Sequence, residues 1–204
     1  MMKLKRVLVS ILLLSLTSWV HAQQHTPHEQ ISAQNVSRVK LTFQFQTGDL
    51  NQGFRDKGHS LQATSVYGYG KLFVSSSSNL VIAVDAGSGE EIWHFDPILD
   101  RELDYSESAS RGVSLWQGEA DECPVRVFIG TLSSKLYALD ANSGEPCLSF
   151  GEQGVIDLSQ GIANFRPGDY SVTSPVAVMS DRVIVGSAIG DNGAAELENG
   201  IVRA

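Results

Sequence analysis

Between residues 64 and 95, apolar positions come in short bursts separated by glycine and serine, without the three-and-four spacing of an amphipathic helix. Residues 64–67, 71–75, 80–85 and 91–95 each read as a strand, with turns at Gly68–Gly70 and at Ser88-Gly89. In the third strand Val81, Ala83 and Asp85 share one face, and Ile82 and Val84 share the other. Both faces are apolar, so the pattern predicts a sheet covered on both sides by other sheets. Asp85 stands at the mouth of a turn, where its carboxylate can accept backbone N–H bonds, and Gly89 can supply a positive φ. Trp93 offers a large flat group to a neighbouring sheet.

The same pattern returns 55 positions later (Ala83 to Ala138). Ile82-Ala83-Val84-Asp85-Ala86-Gly87-Ser88-Gly89 is matched by Tyr137-Ala138-Leu139-Asp140-Ala141-Asn142-Ser143-Gly144, and Leu72-Phe73-Val74-Ser75 by Val127-Phe128-Ile129-Gly130. A third copy begins at Val183-Ile184-Val185-Gly186 and stops at Val202-Arg203-Ala204 before its turn. Four-stranded units repeated at this period predict an all-β fold, a β-propeller of which the chain carries about three blades. A parallel β-helix has shorter periods, and a sandwich does not account for the echo. Three blades cannot close a ring, so the sequence is expected to be the amino-terminal part of a larger one. Residues 39–46 alternate apolar and polar and predict a strand from the ring-closing blade. The long insertions at 96–122 and 151–169 are where a site is expected.

Composition adds compartment and excludes one partner. The chain has 204 residues, is 42% hydrophobic and carries a formal net charge of −8. With no basic stripe, nucleic acid is not expected as a partner. Lys3, Lys5 and Arg6, an apolar run from Val7 to Leu16 and the small-residue pattern Val20-His21-Ala22 read as a signal peptide over residues 1–22, leaving 23–204 as the propeller domain. An uncleaved anchor is the alternative. Export implies an oxidising compartment, so the two cysteines, Cys123 and Cys147, are expected to pair; two buried free thiols are the alternative.

Several segments then occur in order: Asn35-Val36-Ser37-Arg38-Val39, Thr47-Gly48-Asp49-Leu50, Ala83-x-Asp85-Ala86-x-Ser88-Gly89-x-x-x-Trp93, Arg111-Gly112-Val113 and Tyr170-Ser171-Val172-Thr173-Ser174-Pro175. Over residues 29–204 the chain resembles the amino-terminal part of the pyrroloquinoline quinone (PQQ)-dependent dehydrogenases, in particular the glucose, quinate and shikimate dehydrogenase group. The Ala-x-Asp-Ala-x-Ser-Gly-x-x-x-Trp stretch specifies the propeller more than the chemistry. Arg111-Gly112-Val113 with the two cysteines is more specific to this group. The resemblance implies an eight-bladed propeller with PQQ on its axis and a calcium ion (Ca2+) beside it. It also implies a periplasmic enzyme, possible peripheral association with the inner membrane, oxidation of a sugar or polyol hydroxyl, and transfer of electrons to ubiquinone or a similar acceptor. The catalytic base belongs to a later blade, so these residues alone are expected not to turn over substrate. Three departures stand out. Membrane-bound relatives begin with several spans where this chain begins with one export-like segment. Gln62-Ala63-Thr64 stands where relatives carry Glu-Ala-Thr, and Leu148 replaces the second docking tryptophan.

PQQ is an anionic quinone with three carboxylates, so its site needs a cation and hydrogen-bond donors. The resemblance implies that Arg111 is the cation, and Gln62, Ser171, Thr173, Ser174 and Ser187 are the candidate hydrogen-bond donors. The bland reading of Arg111 is an arginine paired with Glu107 or Asp104 in an acidic loop; the bland reading of the hydroxyls is local backbone bonding. Asp191 and Asn192, in Gly190-Asp191-Asn192-Gly193 after a strand, suit a hard cation and fall where the family places a metal-binding acid, although Asp-Asn-Gly is also an ordinary turn. The rival reading from another class is a non-catalytic propeller scaffold of outer-membrane protein assembly. It needs neither Arg111 nor the metal.

Overall fold

A computed structural model describes residues 31–49, 60–119, 122–188 and 200–204. Its first blade is an antiparallel sheet of β1 (Val66–Gly68), β2 (Lys71–Ser75), β3 (Val81–Asp85) and β4 (Glu91–Phe95), paired in sequence order. The second is β5 (Ser114–Gln117), β6 (Val125–Gly130), β7 (Lys135–Asp140) and β8 (Val155–Asp157). In the third, β10 (Arg182–Gly186) lies between β9 (Ala177–Met179) and β11 (Val202–Arg203). These are the expected propeller blades. The bounds of β2 and β4 are those the alternation predicts; β1 begins two residues later than predicted, at Val66.

Side-chain alternation in β6 explains why the blades stack. Val125, Val127 and Ile129 face the first blade and join Val66, Phe73, Val81, Ala83 and Trp93 in one core. Phe128, between them, turns to the other side and packs with Leu136, Ala138, Tyr170, Val172 and Val185 in a second core against the third blade. β6 is therefore covered on both faces, whereas the outermost strand of the blade, β8, is not.

The repeated turns carry this stacking. Asp85 Oδ1 accepts the backbone N–H of Gly87 at 2.9 Å and of Ser88 at 2.8 Å. Asp140 Oδ1 repeats the pattern with Asn142 at 2.8 Å and Ser143 at 2.9 Å. Each turn ends on a glycine of positive φ, +76° at Gly89 and +78° at Gly144. A Cβ on Gly144 would lie 2.6 Å from the Trp93 ring, so glycine is required twice over, by the backbone and by the docked indole. Trp93 Nε1 also donates to the Ala141 carbonyl at 3.3 Å.

Residues 39–46 are corrected by the structure: they form no strand. A strand is defined by its ladder, and no described strand pairs with this segment. Its alternation nevertheless has a use, because Phe43 covers Gly89 as Trp93 covers Gly144. At Leu148, where the second repeat lacks tryptophan, the side chain is 63% exposed. The expected disulfide is present: Cys123 and Cys147 are bonded, with Cα atoms 5.9 Å apart, and the free-thiol alternative falls.

Candidate functional site at the loop end of the blades

The first strands of the blades lie side by side, β1 against β5 and β5 against β9. The segments entering them are tied together at one end. Thr64 N–H donates to the Arg111 carbonyl at 3.1 Å, and Arg111 N–H donates to the Thr173 carbonyl at 2.8 Å. Such close backbone contact explains the glycine after Arg111: at Gly112, φ is +138° and a Cβ would sit 3.0 Å from the Thr64 carbonyl oxygen. Three residues distant in sequence, Thr64, Arg111 and Thr173, are thereby set in one row. The long 96–113 loop, the 158–176 segment and the β2–β3 and β6–β7 connections all open at this same end.

Arg111 dominates this row. Its Nη1 donates to Thr173 Oγ1 at 2.6 Å, and its Nη2 pairs with the Glu107 carboxylate. Thus the bland reading, pairing with Glu107, is realised in the same geometry that aims the guanidinium at a buried threonine. The arginine side chain is 38% exposed, so water screens the ion pair, which contributes on the order of 0.5 kcal/mol. The guanidinium therefore stays accessible to an incoming anion.

The hydroxyl candidates separate. Ser171 is fully buried and its Oγ has no hydrogen-bond partner. Its backbone is fixed by a two-way bridge to Ala188, with N···O distances of 3.1 and 2.8 Å. Val172 points into the second core, which turns its neighbours Ser171 and Thr173 away from that core. An orphaned buried hydroxyl costs about 1–3 kcal/mol unless a ligand or water completes it. Ser187 is already used: its Oγ accepts the Ile201 N–H at 3.0 Å. Gln62 is exposed and bonds Ser60 Oγ at 3.1 Å, and Ser174 is exposed. Asp191 and Asn192 lie outside the described residues. Among the described residues no group of three or more His, Cys, Asp or Glu side chains is placed to hold a metal.

Arg111, Thr173 and Ser171 together are a cation, a polarised hydroxyl and a free hydroxyl at the blades' inner edge. That donor set fits a carboxylate-bearing ligand such as PQQ. Nothing among the described residues tests the calcium site.

Sequence reasoning missed a second polar cluster at this end. Ser75, Ser76, Ser77, Ser78 and Asn79 look like a solvated loop but are all buried. Asp49, itself buried, accepts hydrogen bonds from Ser77 Oγ at 3.0 Å, Ser78 N–H at 3.1 Å and the Ser78 hydroxyl. Burial pushes its pKa up, but the donors at Ser78, Ser76 and Ser77 outweigh it and hold the carboxyl below its ordinary 3.8. Ser75 Oγ meets Ser110 Oγ at 2.7 Å, and Asn79 Oδ1 accepts the Leu132 N–H at 2.8 Å. The available signal was position: a short polar tract joining Leu72-Phe73-Val74 to Val81-Ile82-Ala83-Val84, two runs that pack in the interior, has little room to reach water.

Residues 16–204 match the family model described as "Glucose/ethanol/alcohol dehydrogenase, beta-propeller domain". The quinoprotein glucose dehydrogenase of Escherichia coli is 29% identical over 190 residues, covering 89% of this chain and 24% of the relative. The quinate/shikimate dehydrogenase (quinone) of Acinetobacter baylyi is 30% identical, covering 86% of this chain and 24% of the relative. The solved quinohemoprotein alcohol dehydrogenase of Comamonas testosteroni superposes with a TM-score of 0.51 at 28% identity, over 63% of this chain and 17% of that one. The chain thus spans about a quarter of the length of the curated relatives it matches.

Proposed function

We propose that this chain, which belongs to the β-propeller family of PQQ-dependent glucose, ethanol and alcohol dehydrogenases, forms the amino-terminal part of a periplasmic enzyme oxidising a sugar or polyol hydroxyl. The observation that carries the proposal is the row of Arg111, Thr173 and the unpartnered Ser171 hydroxyl at the inner edge of the blades. When bound, PQQ supplies an ortho-quinone that takes up a hydride from the alcohol carbon. The chain's own residues bind and orient. Arg111 offers a forked pair of donors to a carboxylate or quinone oxygen, and Thr173 fixes the guanidinium from the buried side. Ser171 gives a hydroxyl that a ligand oxygen completes. Gln62 and Ser187 remain secondary contacts, Asp191 and Asn192 the proposed calcium ligands, and ubiquinone or a similar carrier the proposed acceptor. The names of the relatives support a sugar or polyol substrate, and the export-like residues 1–22 support the periplasm, with possible peripheral association at the inner membrane.

The test is PQQ titration of the complete protein with calcium present, followed by dye reduction with glucose, quinate, shikimate, glycerol and ethanol. Saturable binding and turnover of one of these are expected. Arg111→Ala is expected to weaken PQQ about 10- to 100-fold, the loss of a hydrogen-bonded charge contact at a half-buried site. Absence of binding at micromolar PQQ overturns the reading and favours the scaffold.

A further inference from the structure

Among the described residues, the buried carboxylate of Asp49 has no cation beside it and touches none of the proposed cofactor contacts. Its partners lie in the turn between β2 and β3. That turn is closed on itself: Ser76 N–H bonds the Leu80 carbonyl at 2.9 Å, Leu80 N–H bonds Ser76 Oγ at 3.1 Å, and Ser76 Oγ meets Ser78 Oγ at 3.2 Å. A unit so connected moves as a whole. It then reaches across to the second blade at two points, Ser75 Oγ to Ser110 Oγ and Asn79 Oδ1 to Leu132 N–H. Ser110 is the residue immediately before Arg111.

We infer that Asp49 is a positioning residue for Arg111, acting through the 75–80 turn and the Ser75–Ser110 hydroxyl pair. Asp49 precedes the first blade, so the chain leading into the propeller sets the geometry of an arginine about 60 residues later. Arg111 itself needs such support. Its loop is long, and its Glu107 partner is a screened surface contact that cannot define the guanidinium alone. The fixed points are Thr64 and Thr173 on one side, through backbone bonds and the Thr173 hydroxyl that accepts from the guanidinium, and the serine contact on the other. Hydroxyl networks anchored by a buried charge are stiff, because releasing a donor exposes the charge.

The inference rests on the reading of Arg111 as a cofactor contact, and the experiment separates the two. PQQ affinity of the complete protein is measured for the parent, Asp49→Asn, Arg111→Ala and the double variant, with melting temperature recorded for each. Asp49→Asn is expected to weaken PQQ about three- to thirty-fold in the parent and to change nothing further once Arg111 is gone, the non-additivity of residues acting as one unit. Ser75→Ala, a smaller cut in the same path, is expected to show the same coupling with a smaller effect, and it serves if Asp49→Asn does not fold. A lowered melting temperature with unchanged affinity, or equal losses in both backgrounds, overturns the positioning role while leaving PQQ binding intact. Failure of the parent to bind PQQ removes both readings.

Discussion

The two ends of the same blades differ in how completely their polar groups are satisfied. At the turn end, Asp85 and Asp140 repeat one hydrogen-bond pattern, and Trp93, Gly144 and the Cys123–Cys147 bond close the surface. At the loop end, the buried hydroxyls of Ser106, Tyr170 and Ser171 and the Asn79 side-chain nitrogen have no partner. A fold maintains such orphans at a cost, and these lie at the end of the blades where the proposed cofactor contacts also lie. Repetition marks the scaffold. Even the 76–80 turn is copied, at 131–135, where Thr131 Oγ1 accepts the Lys135 N–H at 3.1 Å as Ser76 Oγ accepts that of Leu80; what departs from repetition among the described residues is the buried Asp49 carboxylate held against the first of these turns.

The sharpest way to break this contrast is to damage the turn end and look for an effect on binding. Trp93→Ala removes a nearly buried indole between two blades and is expected to destabilise by about 3–5 kcal/mol in equilibrium denaturation. PQQ affinity of the folded fraction is expected to stay within two-fold of the parent, by about 0.4 kcal/mol or less. A large loss of affinity would show that the two ends are not separable.

Cutting the disulfide probes the same end by a different route. Cys123 and Cys147 are 24 residues apart, and Cys123→Ser with Cys147→Ser is expected to cost about 3.5 kcal/mol in the chain-entropy account. The check is the denaturant midpoint of the parent against the double variant, without reductant. A midpoint unmoved by the double change would place the second blade's stability in its apolar core alone.

How far the sequence reaches follows the same division. Period-two alternation located β2 and β4 to the residue, because β2 is packed on a buried sheet between glycine and serine turns and β4 alternates the docked Trp93 with exposed Ile92 and His94. It failed at residues 39–46, where alternation is present but the ladder that defines a strand is not. At the loop end, resemblance selected Arg111, Thr173 and Ser171, which the structure brings together. It could not distinguish Ser171, whose hydroxyl is free, from Ser187, whose hydroxyl holds Ile201, since both are serines beside a strand. Asp49, in Thr47-Gly48-Asp49-Leu50, carries no sign of its role in the sequence, because its partners are serines in a tract that composition alone reads as solvated.

Acid sharpens the contrast between the two kinds of aspartate. Asp85 is half-buried with its carboxylate open to water, and backbone N–H groups of Ser88 and Gly87 hold its pKa down; water screens it, so its titration is expected to have little effect on stability. Asp49 is buried, and its folded pKa lies below the ordinary 3.8 despite the opposing effect of burial. A depressed carboxylate contributes stability that is fully present above its unfolded pKa and lost as pH falls through the folded value. Between about pH 4 and pH 2, therefore, Asp49→Asn is expected to flatten the fall in stability relative to the parent, and Asp85→Asn to leave its slope nearly unchanged. Equal slopes for Asp49→Asn and the parent in acid denaturation would mean that the serine cradle does not discriminate between the charged and neutral forms.

The smallest effect is expected where the repeat itself is incomplete. Leu148 occupies the position of Trp93 in the second copy, but it stands 63% exposed with no glycine turn beneath it among the described residues. Its backbone N–H is the part in use, bonding Glu122 at 3.2 Å beside the Ser149 N–H at 2.9 Å. Leu148→Ala keeps that N–H and removes a side chain that water already surrounds, so stability is expected to change by no more than about 0.5 kcal/mol. Set against Trp93→Ala, the pair measures what docking contributes at matched positions of one repeat. A loss at Leu148 approaching that at Trp93 would mean that a surface elsewhere in the complete protein covers this leucine, and that the second blade is docked after all.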